Sequence, residues 1–69
     1  MTIGENIRKL REAKNFTQEA LAEKVAVNRS YIAKIELDIQ TPTLPMSKAL
    51  AKALDCALTD LVSDGPETA

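Results

Sequence analysis

Apolar residues recur along the chain at the three- and four-residue spacing that is typical of short amphipathic helices. This spacing is most regular over residues 17–36. There, Thr17 and Asn28 each precede a segment with one apolar helical face. Both are favourable N-cap residues, because their side chains accept hydrogen bonds from a first helical turn. The pattern predicts helices over residues 17–25 and 29–36. Their inward positions are Leu21, Ala22, Val25, Ile32 and Ile35.

Two N-caps so close together leave no room for a long connection, so the two helices must cross at a steep angle, as in a helix-turn-helix. The same spacing predicts three more helices around one core, which makes the fold class all-α with five helices. These helices are residues 4–15, the segment that Thr43 caps and Asp55 ends, and residues 58–63. Residues 1–63 are predicted to form one domain, followed by a polar, frayed tail over residues 64–69.

The third helix carries the candidate binding chemistry. Because its isoleucines face inward, Arg29, Ser30 and Lys34 must point elsewhere. A protruding helix N-terminus with a guanidinium, a hydroxyl and an ammonium suits the major groove of B-DNA, where arginine binds guanine bidentately. The alternative for each of the three is an ordinary solvated side chain. Tyr31 either lies along the sugar-phosphate backbone or packs against its own helix.

The net charge of −1 does not indicate a DNA-binding protein, but the distribution of charge along the chain does favour a DNA-facing side. Residues 1–34 contain seven Lys and Arg against four Glu, whereas residues 35–69 contain two Lys against six Asp and Glu. The half with the predicted helix-turn-helix is therefore the basic half. This asymmetry indicates a nucleic-acid face on one side and a solvated or partner-binding surface on the other.

Several classes of protein are excluded by composition. The chain of 69 residues has no histidine and one cysteine, so it offers neither an internal disulfide nor the ligands of a zinc site. A nucleophile such as Ser47 or Cys56 would lack a histidine base, and we expect no enzyme, cofactor, metal or small-molecule substrate. Cys56 is either core filler or a redox sensor. No stretch is apolar enough for a signal peptide or a membrane span, which favours a cytoplasmic protein.

The sequence resembles the Xre family of helix-turn-helix proteins, which includes phage repressors, Cro proteins and the controller proteins of restriction systems. The resemblance runs from Ile3 to Val62. It rests on IGENIRKLREAKNFTQ, LAEKVAVNRSYIAKIE and TPTLPMSKALAKALDCALTDLV. It implies a lambda-repressor-like fold and a bacterial or phage transcriptional regulator. Such a protein, a repressor or a controller protein, would bind double-stranded DNA as a homodimer with its third helix in the major groove.

The resemblance also implies roles for particular residues. Arg11 and Glu36 would form a partly buried salt bridge, and Gln18 would contact DNA and brace the recognition helix rather than being simply solvated. The expected contacts to the DNA backbone are Thr17, Gln18, Tyr31, Thr41 and Thr43. The expected dimer contacts, by similarity to controller proteins, are Leu58, Leu61 and Val62.

The acidic second half of the chain leaves another function open, as do three departures from the family pattern. Ala26 stands where the family has a turn glycine, and Leu37 and Asp38 stand where a glycine usually follows the glutamate. The loop 37–43 lacks the Lys or Arg that touch phosphates in related proteins. The alternative is a protein-interaction module, such as an antitoxin or an accessory subunit. The chain is also compatible with a piece of a longer regulator.

Overall fold

The computed structural model describes residues 2–62, and these form five helices connected by short turns. The helices are α1 (Ile3–Ala13), α2 (Gln18–Lys24), α3 (Arg29–Glu36), α4 (Leu44–Ala53) and α5 (Leu58–Val62). The prediction of an all-α, five-helix fold is confirmed. The predicted tail over residues 64–69 lies outside the described residues.

The predicted caps of α2 and α4 are observed, whereas that of α3 is not. The hydroxyl of Thr17 accepts from the N–H of Ala20 at 3.0 Å, and that of Thr43 accepts from the N–H of Met46 at 3.2 Å. Asn28 occupies the N-cap position of α3, but its side chain makes no cap hydrogen bond. Its predicted capping interaction is therefore wrong, although α3 begins where the sequence indicates.

Helix α1 begins with a capping box that the sequence analysis missed. The Thr2 hydroxyl accepts from the N–H of Glu5 at 3.1 Å, and the Glu5 carboxylate accepts from the N–H of Thr2 at 2.9 Å. Threonine followed three residues later by glutamate is the usual signature of this motif. Helix α1 consequently starts one residue earlier than predicted, and it ends at Ala13 rather than at residue 15.

The core lies where the inward faces of all five helices meet. Helix α2 packs on α3, α1 contacts α3 and α5, and α4 contacts α2 and α5. The buried apolar residues are Ile7, Leu21, Ala22, Ile32, Ile35, Leu50, Ala51, Leu54 and Leu61. The inward faces predicted for α2 and α3 are confirmed, except that Val25 is only partly buried.

Two positions beyond the end of each of the helices α1 to α4 stands a left-handed residue that is not glycine. The φ angles are 61° at Asn15, 60° at Ala26, 61° at Asp38 and 55° at Asp55. Asn and Asp tolerate this conformation, whereas the β-carbon of alanine crowds the following carbonyl at about 1–2 kcal/mol. In the α2–α3 turn, the next N–H, that of Val27, donates back to the carbonyl of Ala22 at 2.9 Å. The helix-turn-helix therefore requires the left-handed conformation that Ala26 disfavours.

Replacing Ala26 with glycine is expected to raise the free energy of unfolding by about 1 kcal/mol, because glycine adopts positive φ without the β-carbon contact. Urea denaturation of both proteins measures the change. Ala20→Gly, inside α2, is the matched control and should lower stability by about 1 kcal/mol through helix propensity alone. Destabilisation by both changes would contradict strain at Ala26.

Two contacts place α1 against the rest of the bundle. A β-carbon on Gly4 would lie 2.8 Å from the carbonyl oxygen of Glu36, and closer still to that of Ile35. Only glycine lets the first turn of α1 approach the last turn of α3 so closely. At the other contact, Asn6 is 8% exposed, and its side chain donates from Nδ2 to the carbonyl of Leu61 at 2.8 Å. This bond holds the short helix α5 on α1.

Candidate nucleic-acid interface

The start of α3 lies at the surface of the helix-turn-helix. Arg29, Ser30 and Lys34 are all exposed, while Ile32 and Ile35 are fully buried on the opposite side. The buried isoleucines fix the rotation of the helix about its axis. The three candidate base-contacting side chains therefore share an outward surface, as the spacing predicts.

Gln18 lies between the two ends of α3. Its Nε2 donates to Glu36 Oε1 at 3.0 Å, and its Oε1 accepts from Arg29 Nη1 at 3.1 Å. The first residue of α2 is thereby bonded to both the last and the first residue of α3. This contact with both ends of the helix could not be predicted from the local sequence.

Arg11 and Glu36 form the principal ion pair of the described residues. Arg11 Nε lies 2.6 Å from Glu36 Oε2, and Arg11 Nη2 donates to Glu36 Oε1 at 3.2 Å. The side chains are 11% and 3% exposed. Arg11 Nη1 also donates to the carbonyl of Phe16 at 2.7 Å. The bidentate geometry gives a strong, oriented contact between α1, the α1–α2 turn and the end of α3.

Asp38 has a role that the sequence analysis did not anticipate. Its carboxylate accepts from the Thr2 hydroxyl at 2.6 Å and from the N–H of Gly4 at 3.2 Å. The negative charge therefore sits at the N-terminus of α1, where free N–H groups and the helix dipole stabilise it. Asp38 is thus a link between the α3–α4 loop and α1. A contact across this sequence separation has no local sequence signal.

The candidate backbone contacts occupy different surroundings. Thr17, Thr41 and Thr43 are exposed, and Gln18 is half-buried. As caps, Thr17 and Thr43 use a hydroxyl oxygen as acceptor, so each hydroxyl keeps its own donor. Tyr31 is partly buried and packs against the core.

The predicted dimer contacts differ strongly in exposure. Val62 is 52% exposed, Leu58 is partly buried, and Leu61 is fully buried within the protomer. Leu61 therefore anchors α5 to the core, and Val62 presents the larger apolar surface. Leu37 and Ile39, in the α3–α4 loop, are 68% and 69% exposed.

The described residues offer little support for a reactive cysteine, a metal site or a membrane span. Cys56 packs against the core, and burial raises the pKa of its thiol, with smaller contributions from the Asp60 and Asp55 carboxylates that Lys14 opposes. The thiol is therefore protonated at neutral pH and a poor nucleophile. Residues 2–62 contain no group of side chains suited to hold a metal ion. Over the same range, every helix is too short or too polar to cross a membrane.

Sequence comparison identifies relatives that are regulators. The helix-turn-helix family model matches residues 7–61. The immunity repressor protein of Bacillus phage phi105 is 39% identical over 64 residues, which are 93% of this chain and 44% of that protein. The regulator SinR of Bacillus subtilis is 33% identical over 67 residues, 96% of this chain and 60% of that protein. The chain thus spans about half the length of these relatives.

Comparison with solved structures also identifies repressors and regulators as similar proteins. The P22 c2 repressor in complex with a synthetic operator has a TM-score of 0.86 and 32% identity, covering 91% of this chain and 96% of that chain. SinR in complex with DNA has a TM-score of 0.82 and 33% identity, covering 87% and 97%. The expected lambda-repressor-like fold is confirmed. The printed names of these relatives are those of regulators and repressors.

Proposed function

This chain belongs to the helix-turn-helix family, and we propose that it binds specific sequences in double-stranded DNA as a homodimer and regulates transcription from those sites. Helix α3 enters the major groove, where Arg29, Ser30 and Lys34 contact base edges. The sugar-phosphate backbone is held by Thr17, Gln18, Tyr31, Thr41 and Thr43.

The observation that carries this proposal is the exposed tip of α3 with its braced arginine. One of the five N–H donors of the Arg29 guanidinium goes to Gln18, and others remain for the O6 and N7 acceptors of guanine. Because the α3 isoleucines are buried, this tip cannot turn away from the surface. The P22 c2 repressor and SinR, which share the fold, have both been solved bound to DNA.

Asp38 does not argue against DNA binding, although it follows the recognition helix. Its carboxylate is bonded to Thr2 and Gly4 at the N-terminus of α1. The neighbouring loop contributes Thr41 and Thr43, which are exposed and uncharged. We therefore expect fewer released counterions, and a shallower salt dependence, than for a domain that contacts phosphates through Lys and Arg.

We propose a homodimer because the tip of a single α3 helix is small. One such tip contacts too few base pairs for high specificity, whereas two related by a twofold axis contact half-sites about 34 Å apart. Val62, at the end of α5, is the exposed apolar residue that we assign to the contact between protomers. Leu58 flanks it, and buried Leu61 supports it from the core.

Selection from a random duplex pool at about 150 mM salt, where charge attraction is strongly screened, tests the proposal. We expect an inverted repeat whose half-site centres lie about one helical turn apart. No enrichment by the folded protein would overturn the DNA-binding function. Enrichment of a single unrepeated site would overturn the homodimer while leaving DNA binding in place.

Arg29→Ala is expected to relax base preference at one position of each half-site by about 1–3 kcal/mol, because a bidentate arginine–guanine contact is lost. Binding titrations on the selected site and its single-base variants measure the change. Arg8→Ala removes an exposed arginine from α1 and should preserve the preference. Equal weakening of Arg29→Ala on every sequence would show that Arg29 contacts phosphate instead.

Val62→Asp is expected to weaken dimerisation by about tenfold or more, since a carboxylate in an apolar contact is poorly solvated. The exposure of Val62 means that the monomer should stay folded. Sedimentation equilibrium measures the assembly, and circular dichroism measures the fold. Ile39→Asp, at another exposed apolar position, is the control and should still dimerise. The opposite result would place the interface at the α3–α4 loop.

A protein-binding module is the second candidate, and one observation favours it. Leu37 and Ile39 present apolar side chains that are 68% and 69% exposed in a loop without Lys or Arg. Exposed apolar groups of this kind mark protein contacts when they are contiguous. Failure of the selection experiment with folded protein would favour this function.

A further inference from the structure

We propose that Glu36 is a positioning residue for base recognition: through the side-chain amide of Gln18, it fixes the orientation of the Arg29 guanidinium. The inference rests on the proposed DNA-binding function and extends it. It gives Glu36 a part in specificity, in addition to its ion pair with Arg11.

The proposal starts from a continuous chain of hydrogen bonds. Arg11 donates twice to Glu36, at 2.6 and 3.2 Å, and Gln18 donates to Glu36 at 3.0 Å. Arg29 then donates to Gln18 at 3.1 Å. The chain of bonds begins in α1, crosses the end of α3 and the start of α2, and finishes at the tip of α3. We call these four side chains the Arg29 relay.

The chemistry of Glu36 decides which way the Gln18 amide points. A carboxylate paired with arginine offers only acceptors, so the NH2 group of Gln18 must face it. The amide oxygen is then directed away from Glu36, toward Arg29, which offers only donors. A reversed amide would place oxygen against carboxylate and NH2 against guanidinium. Both contacts would be unfavourable, so Glu36 selects the orientation that holds Arg29.

Burial makes Glu36 a firm anchor for an exposed group. Its side chain is 3% exposed and is bonded to Arg11, which is itself only 11% exposed. Arg29, by contrast, is exposed, and a long exposed side chain loses rotamer freedom when it binds a partner. An arginine already restrained by Gln18 loses less of that freedom at the DNA. The relay therefore favours one base-contacting geometry before DNA arrives.

Nuclear magnetic resonance of the free protein tests the relay without DNA. We expect the order parameter of the Arg29 Nε–H group to fall in Gln18→Met and in Glu36→Gln, relative to wild type. Gln40→Met is the matched control, since it makes the same replacement at an exposed loop residue. Arg8, bonded to Glu12, provides an internal reference that should not change. An unchanged Arg29 in Gln18→Met would overturn the relay.

Glu36→Gln removes a buried charge, and its failure to fold would prevent a direct comparison. In that case the proton chemical shifts of the Gln18 side-chain amide, measured in the wild-type protein, decide whether Gln18 is bonded to Glu36. One of its protons should resonate downfield of those of Gln40, because it donates to a carboxylate. Similar shifts for the two glutamines would overturn the contribution of Glu36.

Base preference supplies the functional test. Gln18→Met should lose roughly three- to tenfold of the preference at the same base position as Arg29→Ala, within the range of energies for directly coupled residues. The double variant should lose no more preference there than Arg29→Ala alone. Gln18→Met also removes the proposed backbone contact, so some weakening on every sequence is expected. An unchanged base preference at that position would overturn the proposal. If the wild-type protein selects no DNA, the proposed function fails, and the measurements on free protein still judge the relay.

Discussion

Replacing Gly4 with alanine is expected to lower the free energy of unfolding by about 4 kcal/mol or more, which is a large part of the stability of so small a domain. The added β-carbon would lie 2.8 Å from the carbonyl oxygen of Glu36 and 2.7 Å from Asp38 Oδ1, and closer to the carbonyl of Ile35. Two of these three atoms belong to the α3 backbone and cannot rotate away. Helix α1 must therefore move from α3 or bend.

Urea denaturation of Gly4→Ala measures this loss. Helix propensity alone would make the same change stabilising by about 1 kcal/mol, so even a neutral result would reveal part of the steric cost. Ala13→Gly, at the exposed end of α1, is the control and should cost no more than about 1 kcal/mol. Stability about 1 kcal/mol above wild type for Gly4→Ala, as helix propensity alone predicts, would show that α1 and α3 do not approach closely in solution.

Removing one partner of the Arg11–Glu36 pair is expected to cost about 3–5 kcal/mol, because the remaining charge stays buried without its counter-ion. Arg11→Met leaves a carboxylate that is 3% exposed, and Glu36→Leu leaves a guanidinium that is 11% exposed. The double variant leaves neither charge, so it should be more stable than the sum of the two single changes predicts. A coupling of roughly 1–3 kcal/mol is expected.

A double-mutant cycle by urea denaturation measures the coupling. Arg8 and Glu12 form the matched control on the same helix: their contact is 3.3 Å, but the side chains are 63% and 54% exposed. The control pair should couple by about 0.3–0.5 kcal/mol and weaken with salt, as surface pairs do. Equal coupling in the two cycles would mean that water reaches the Arg11–Glu36 pair.

Both predictions concern the contact between α1 and the end of α3. Helix α1 contacts the backbone there through Gly4 and the Glu36 side chain through Arg11. Gly4 allows the close approach of the backbones, and Arg11 supplies the charge that Glu36 requires. The end of α3 is in turn bonded through Gln18 to Arg29. A change at the start of α1 is therefore expected to affect the base-contacting tip through this chain of contacts.

Much of the fold could be predicted because its signals are local. The caps at Thr17 and Thr43 and the apolar spacing of α2 and α3 depend on neighbouring residues, and the predicted helices follow them closely. Where the prediction failed, a local signal was either missed or too weak. The threonine–glutamate signature of Thr2 and Glu5 was present in the sequence, whereas the side chain of Asn28 gave a cap position without its hydrogen bond.

The candidate site was predictable only in its outline. The rotation of α3, and hence the exposure of Arg29, Ser30 and Lys34, follows from the spacing of its isoleucines. The orientation of Arg29 does not, because it depends on Gln18 and Glu36, which come from different helices. In the same way, the role of Asp38 depends on Thr2 and Gly4 at the far end of the chain.

By itself, the sequence determined the number and type of the helices, the inward faces of the helix-turn-helix and the family of the chain. These are properties of segments, since hydrogen bonds within a helix and apolar periodicity connect residues only a few positions apart. The tertiary structure decided which atoms meet between segments: the need for glycine at position 4, the burial of Leu61, and the bonds that lead from Arg11 to Arg29. Such contacts are lost or gained when the separation of two helices changes by roughly a few tenths of an ångström, and that separation is fixed only after the whole core has packed.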